Sequence, residues 1–162
     1  MKKQKETLSL VTGHLADLLR KGNAHVSLDE ALDTIPFELL GNTVAGLPYS
    51  IWQIAEHIRI AQRDILEFSS SSGHVSPKWP EEYWPEAASP NNEKDWLNCI
   101  AAIKRDREKF IQLLESSGEN IYVPFPYGSG QSLFKEALVI ADHNSYHTGE
   151  IIILRRLLNN WK

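Results

Sequence analysis

Cysteine is nearly missing from this chain: Cys99 stands alone among 162 residues, so no disulfide can form within it. A single cysteine in a helical segment acts as a small apolar residue, and no histidine lies near it in sequence to make it a nucleophile. An excess of basic charge is missing too. The formal net charge is −4, and the basic residues are scattered (Lys2, Lys3 and Lys5; Arg20 and Lys21; Arg155 and Arg156) and offset by acids. Nucleic-acid partners draw most of their binding free energy from phosphate neutralisation by a basic face, so none is expected. Long apolar runs are also lacking. Stretches such as Ile151 to Leu154 are far too short to span a bilayer, and the start, Met1-Lys-Lys-Gln-Lys-Glu6, lacks the apolar core of a signal peptide. No membrane is expected as a partner, and the cytoplasm is the expected compartment.

What is present reads as one ordinary globular domain over 1–162. A hydrophobic share of 42% and a charged share of 23% exclude disorder and fibres, and the length allows a sizeable core. Four long segments carry helical periodicity. The first spans about 6–21, with Leu8, Val11, Leu15 and Leu18 on one face and Gly22 as its stop. The second begins after Ser50, whose pairing with Gln53 reads as a capping box, and carries Ile51, Ile54, Ile58, Ala61, Ile65 and Phe68. The serine run 69–72 with Gly73 ends it. The third follows Asn91-Asn92 and buries Trp96, Ile100, Ile103, Phe110 and Leu114; the fourth follows Ser132 and runs to about Asn159. No strand pattern and no solenoid repeat competes. The expected fold is all-α, an antiparallel four-helix bundle with long loops.

The connections are longer than a compact domain usually carries. Between Gly22 and Ser50 lie short helical pieces, with Ser27 to Glu30 as another capping box and Pro36 suited to a helix N1 position. The segment from Ser69 to Asn92 holds Trp79, Pro80, Tyr83, Trp84, Pro85 and Pro90. Aromatic content of that kind argues for packing rather than disorder, either as a satellite core or as a lid over a site.

Three of the six histidines fall at informative places. His143 and His147 are four apart on the apolar stripe that runs from Ile140 to Leu154, and His57 lies between Ile54 and Ala61 on the inner face of the second helix. Three inward imidazoles need partners. A metal ion answers that need, since catalytic zinc sites use three protein ligands and one open position, and bundles build such sites from facing helices. The plainer alternative is three histidines bonded to nearby carbonyls. Glu150 could orient a ligand imidazole or act as a base, and Glu136 falls on the same side of the helix. Glu56 and Asp142 precede candidate ligands and point elsewhere; His14, His25 and His74 lie off the stripes or in loops and receive no role.

Three stretches of the chain, Gly46-Leu-Pro-Tyr-Ser-Ile-Trp-Gln-Ile-Ala-Glu-His57-Ile, Trp79-Pro-Glu-Glu-Tyr-Trp-Pro85 and Ala141-Asp-His143-Asn-Ser-Tyr-His147-Thr-Gly-Glu150, together with Arg155-Arg-Leu-Leu158, resemble the DinB-like family of metal-binding bundles. The resemblance runs from Ala24 to Trp161. It implies His57, His143 and His147 as ligands of one divalent ion, zinc or nickel above all, and a homodimer, with exposed apolar residues such as Trp161 expected at its two-fold interface. Some relatives are transferases that use a low-molecular-weight thiol. The resemblance therefore implies a small-molecule substrate and a metal-dependent thiol transferase. A metal-dependent hydrolase, or a bundle whose metal only stabilises the fold, are the alternatives.

Overall fold

A computed structural model describes residues 2–161, without the side chains of Lys2, Gln4 and Lys5. Five α-helices carry the chain: α1 (Lys2–Lys21), α2 (Leu28–Leu32), α3 (Ile51–Ser70), α4 (Glu93–Ser116) and α5 (Leu133–Leu157). Two 3-10 turns, Phe37–Leu39 and Gly118–Tyr122, join them, and there is no strand among the described residues. No described helix is long and apolar enough to cross a membrane.

The helix starts follow local chemistry. Ser50 Oγ accepts the Gln53 N–H at 3.2 Å while the Gln53 side chain accepts the Ser50 N–H at 3.1 Å. Ser27 and Glu30 build the same reciprocal cap on α2, and Asn92 and Ser132 cap α4 and α5. Two expectations shift. The first helix starts at Lys2, ahead of the expected Glu6, because nothing between them breaks a helix. Pro36 is the residue before the 3-10 turn and not its first member, with extended ψ of 136°. The turn at Gly118–Tyr122 was not foreseen; Gly118, at φ +54°, takes the left-handed conformation that ends α4.

The four long helices pack α3 on α4 and α5, and α1 on the same two. Along α3 and α4 the paired positions rise together: Trp52 lies by Trp96, Gln62 Nε2 donates to the Ile103 carbonyl at 2.6 Å, and Leu66 shares a core with Phe110 and Leu114. Along α3 and α5 they run oppositely, with Gln62 bonded to Asn144 and Ile54 in one core with Ile151. So α3 is antiparallel to α5 but parallel to α4, which corrects the expectation of antiparallel neighbours throughout. The physical reason is the connection 71–92, long enough to carry the chain back to the end from which α3 began.

Two apolar clusters fill the interior. One joins α2 to the first halves of α3 and α4 and the end of α5, around Leu40, Ile51, Ile58 and Ile103. The other joins α1 to the second halves of α3 and α4 and the start of α5, around Phe110, Leu114, Ile121 and Ala137.

Candidate metal centre

α3 and α5 bring His57, His143 and His147 together. Their ligand nitrogens all lie within 4.8 Å of one another, and the Nε2 atoms of His57 and His143 are 3.0 Å apart. His57 and His147 are buried and His143 is half-buried. The i, i+4 spacing of His143 and His147 brings their rings together edge to face, with centroids 4.5 Å apart, and the antiparallel packing of α3 sets His57 4.8 Å from each.

Two of the rings are oriented from outside the cluster. His57 Nδ1 lies 3.0 Å from the Tyr83 carbonyl. A carbonyl only accepts, so Nδ1 carries the proton and Nε2 keeps its lone pair. His147 Nδ1 lies 2.6 Å from the Glu150 carboxylate, which assigns its Nε2 the same role. Burial pushes His143 down to about 4, helped by the neighbouring His147 and His57, and pushes His147 down to about 4, helped by His57. His57 is lowered by burial as well, against the Tyr83 bond and Glu150. Burial also raises the Glu150 carboxyl, opposed by Tyr146 and His57.

Three neutral imidazoles converge here, two with a free Nε2 lone pair and the third, His143, with its Nε2 at hydrogen-bond distance from that of His57. Once that shared proton is released they are a donor set suited to a first-row divalent ion. A tetrahedral zinc with bonds of about 2.0–2.1 Å would need its nitrogens roughly 3.4 Å apart, so donors now separated by 3.0 Å at one pair and by up to 4.8 Å overall would draw together to hold one. The residues fit the ion.

The connection 71–92 forms a wall of this site. Trp84 is stacked between Tyr49 and His57, at 3.7 and 3.8 Å between centroids and nearly parallel to both. Gln53 Nε2 donates to the Pro85 carbonyl, Ser50 Oγ to the Ala88 carbonyl, and Gly41 approaches Ser89 so closely that a Cβ would have no room. Beside the histidines opens a cleft of about 550 Å³, walled by Trp79, Tyr83, Trp84, Val139 and Tyr146 and lacking any Lys or Arg. A second cleft of about 480 Å³, on the side of α5 that faces α1, is lined by His25, Asp142 and Asn144 and contains none of the three ligand histidines.

The other expected residues separate clearly. Glu136 is buried near the start of α5 and outside the cluster, with burial raising its carboxyl. Glu56 is paired with Arg59 and Asp142 is exposed. His25 bonds Ser145. His74 is different: its Nε2 lies 2.6 Å from Asp64, whose other oxygen accepts the Tyr83 hydroxyl at 2.6 Å. Asp64, His74 and Tyr83 were missed as a group. Asp64 lies seven residues after His57 on the same helical face, which was a readable signal; the place of His74, in a loop, was not.

The profile of one family, described as the DinB superfamily, matches residues 6–151 of the 162. No curated protein and no solved structure matches the chain.

Proposed function

The chain belongs to the DinB superfamily, and on that premise we propose that it is a metal-dependent transferase using a low-molecular-weight thiol, with His57, His143 and His147 holding one divalent ion, zinc or nickel. The observation that carries this reading is three imidazole nitrogens at the floor of an apolar, aromatic-walled cleft. We read the four long helices as the family's bundle, with one long crossover, forming a single domain.

A metal ion so held supplies positive charge that lowers the pKa of a thiol beside it, making thiolate available at neutral pH. The chain's own residues do the rest. The Tyr83 carbonyl and Glu150 keep two ligand rings in the tautomer that leaves Nε2 free. Trp79, Trp84, Tyr146 and Val139 bind an uncharged, apolar acceptor and exclude water. In the transfer, the thiol sulfur bonds to an electrophilic carbon, the leaving group departs with its electron pair, and the thiol proton passes to solvent. A cytoplasmic setting, where such thiols stay reduced, belongs to the same reading.

Hydrolysis with Glu150 as base is less well supported, because the Glu150 carboxylate is engaged by His147 Nδ1. A site serving only the fold would close with a fourth protein ligand, and the cluster holds three among the described residues. Cobalt-loaded protein tests the proposal. Thiol addition should raise a sulfur-to-metal charge-transfer band, and conjugation of that thiol to an apolar electrophile should require the ion. No band across several thiols rejects it; ester or amide turnover without thiol favours the hydrolase.

Self-association is part of the proposal. Val139, Tyr146, Ile153 and Leu157 are exposed along one side of α5 and offer a two-fold interface that borders the cleft. Trp161 is half-buried under the Arg155 guanidinium and is not needed for it. Sedimentation equilibrium giving an 18.4 kDa species at micromolar concentration rejects the dimer.

A further inference from the structure

We propose that Asp64 is a positioning residue for the metal centre, holding Tyr83 by its hydroxyl so that the Tyr83 carbonyl fixes His57. The inference rests on the metal reading above and assigns work to Asp64, which that reading leaves unused.

Tyr83 is held at both ends. Its carbonyl accepts His57 Nδ1–H at 3.0 Å, and its hydroxyl donates to Asp64 Oδ2 at 2.6 Å. Asp64 Oδ1 is bonded at 2.6 Å to His74 Nε2, and both of those side chains are 13% exposed. His74 Nδ1 in turn lies 3.5 Å from Glu67. Asp64 and His57 share a face of α3 two turns apart, while His74 and Tyr83 are nine residues apart on the crossover. One carboxylate on the rigid helix therefore clasps the crossover at two points, and the second point is the residue whose backbone orients a ligand imidazole.

The physical need is plain. A backbone carbonyl in a long connection is a soft hydrogen-bond partner unless its residue is anchored, and a ligand histidine free to rotate loses the preorganisation on which affinity depends. Trp84 stacking restrains the ring plane of His57 but does not choose its tautomer. The Tyr83 carbonyl does choose it, and Asp64 holds that carbonyl in place. A carboxylate–tyrosine bond at this distance, in a partly buried setting, is the stronger kind of anchor.

The experiment compares wild type with Tyr83→Phe, Asp64→Ala, Asp64→Asn and the Tyr83→Phe/Asp64→Ala pair. In the metal-free protein, nitrogen-15 NMR reads the His57 Nδ1–H signal; in the loaded protein, chelator competition reads cobalt affinity and the visible ligand-field band reads geometry. Wild type should show a protected Nδ1–H. Tyr83→Phe and Asp64→Ala should each lose that protection, shift the band and weaken cobalt binding about tenfold, the lower end for outer partners of ligands. The pair should lose no more than Asp64→Ala alone, since Tyr83→Phe breaks a bond that Asp64→Ala already removes. Asp64→Asn, which keeps an acceptor for the hydroxyl, should recover most of the affinity. An unchanged His57 signal in both single variants, or additive losses in the pair, overturns the proposal. Wild type that binds no cobalt, with the His57 signal still responding to Asp64, rejects the metal reading and upholds the positioning.

Discussion

The two ends of α3 spend burial differently. Toward its C-terminus, Leu66 meets Phe110, Ile111, Leu114, Leu133 and Ile140 in an interior made of aliphatic and aromatic side chains, several of them with no exposure at all. About two and a half turns earlier on α3, at His57, the same helix faces His143, His147 and Trp84, and between the two levels Gln62 bonds Asn144. Both levels exclude water, yet only the first is stabilised by doing so. Desolvation at the histidine level works against every charged form and leaves three neutral imidazoles whose ring nitrogens converge. A cluster of that kind is costly to the fold and useful to a cation. The apolar end supplies the stability that lets the histidine level persist.

The largest contrast is in metal binding. His143→Ala/His147→Ala should lose at least a hundredfold in metal affinity, because one ligand cannot hold what three hold. Phe110→Ala and wild type should each bind about one ion per chain. Elemental analysis after dialysis reads both. Stoichiometric metal in the double variant would break the comparison outright.

Stability should divide the other way. Phe110 is fully buried, and Phe110→Ala removes its contacts and leaves a cavity, at about 3–5 kcal/mol. Urea denaturation of the metal-free proteins should place the double histidine variant much closer to wild type than this at pH 8. An equal loss in both would mean that the histidines hold the fold together even without an ion.

Most of this division was readable from residue order alone. The stripes through Phe110 and Ile140 are periodic and apolar, so most of the stable end was visible as pattern. On α3 the expected stripe runs through Ile65 and Phe68, which are half-buried, and Leu66 between them is the buried one. His143 and His147 were visible because helical spacing places them on one face, and His57 because its neighbours Ile54 and Ala61 are inward. Helix direction was not visible: periodicity marks which face is buried but is silent on which end meets which, and only the crossover's path makes α3 parallel to α4. Nor was the aromatic wall assignable. Trp84 stacks on His57 and Tyr83 lends it a carbonyl because a connection without a repeat folds back over α3. Such contacts have no sequence period to betray them. The same limit hid His74, whose partners are set by loop geometry.

Acid should expose the histidine level next. His143 and His147 have folded-state values near 4, below their ordinary value of 6.5. Protons therefore bind the unfolded chain more readily, and the stability tied to neutral imidazoles is complete above about 6.5 and lost as pH falls through about 4. Metal-free wild type should weaken across that window more steeply than the double histidine variant, which keeps only His57 to charge. Parallel stability curves from pH 7 to pH 4 would show that these rings titrate alike in folded and unfolded chains. With metal present, ions and protons compete for the same lone pairs, and the window moves lower.

The smallest expected effect belongs to Cys99, which sharpens the comparison by belonging to neither chemistry. It is 2% exposed and packs in the cluster with Ile51, Trp96 and Ile103. Burial pushes its thiol up, and the nearby Glu56 pushes it further, so thiolate is scarce at neutral pH and the sulfur is a poor nucleophile. Its role is that of a small apolar residue in the core cluster at the start of α3. Cys99→Ser should retain the metal, the charge-transfer band with added thiol and the thiol-dependent turnover. It should lose about 1 kcal/mol, because a hydroxyl replaces sulfur in a packed apolar setting. If turnover fell with the fold intact, the sulfur that reacts would be the protein's own, and the added thiol would be at most a reductant.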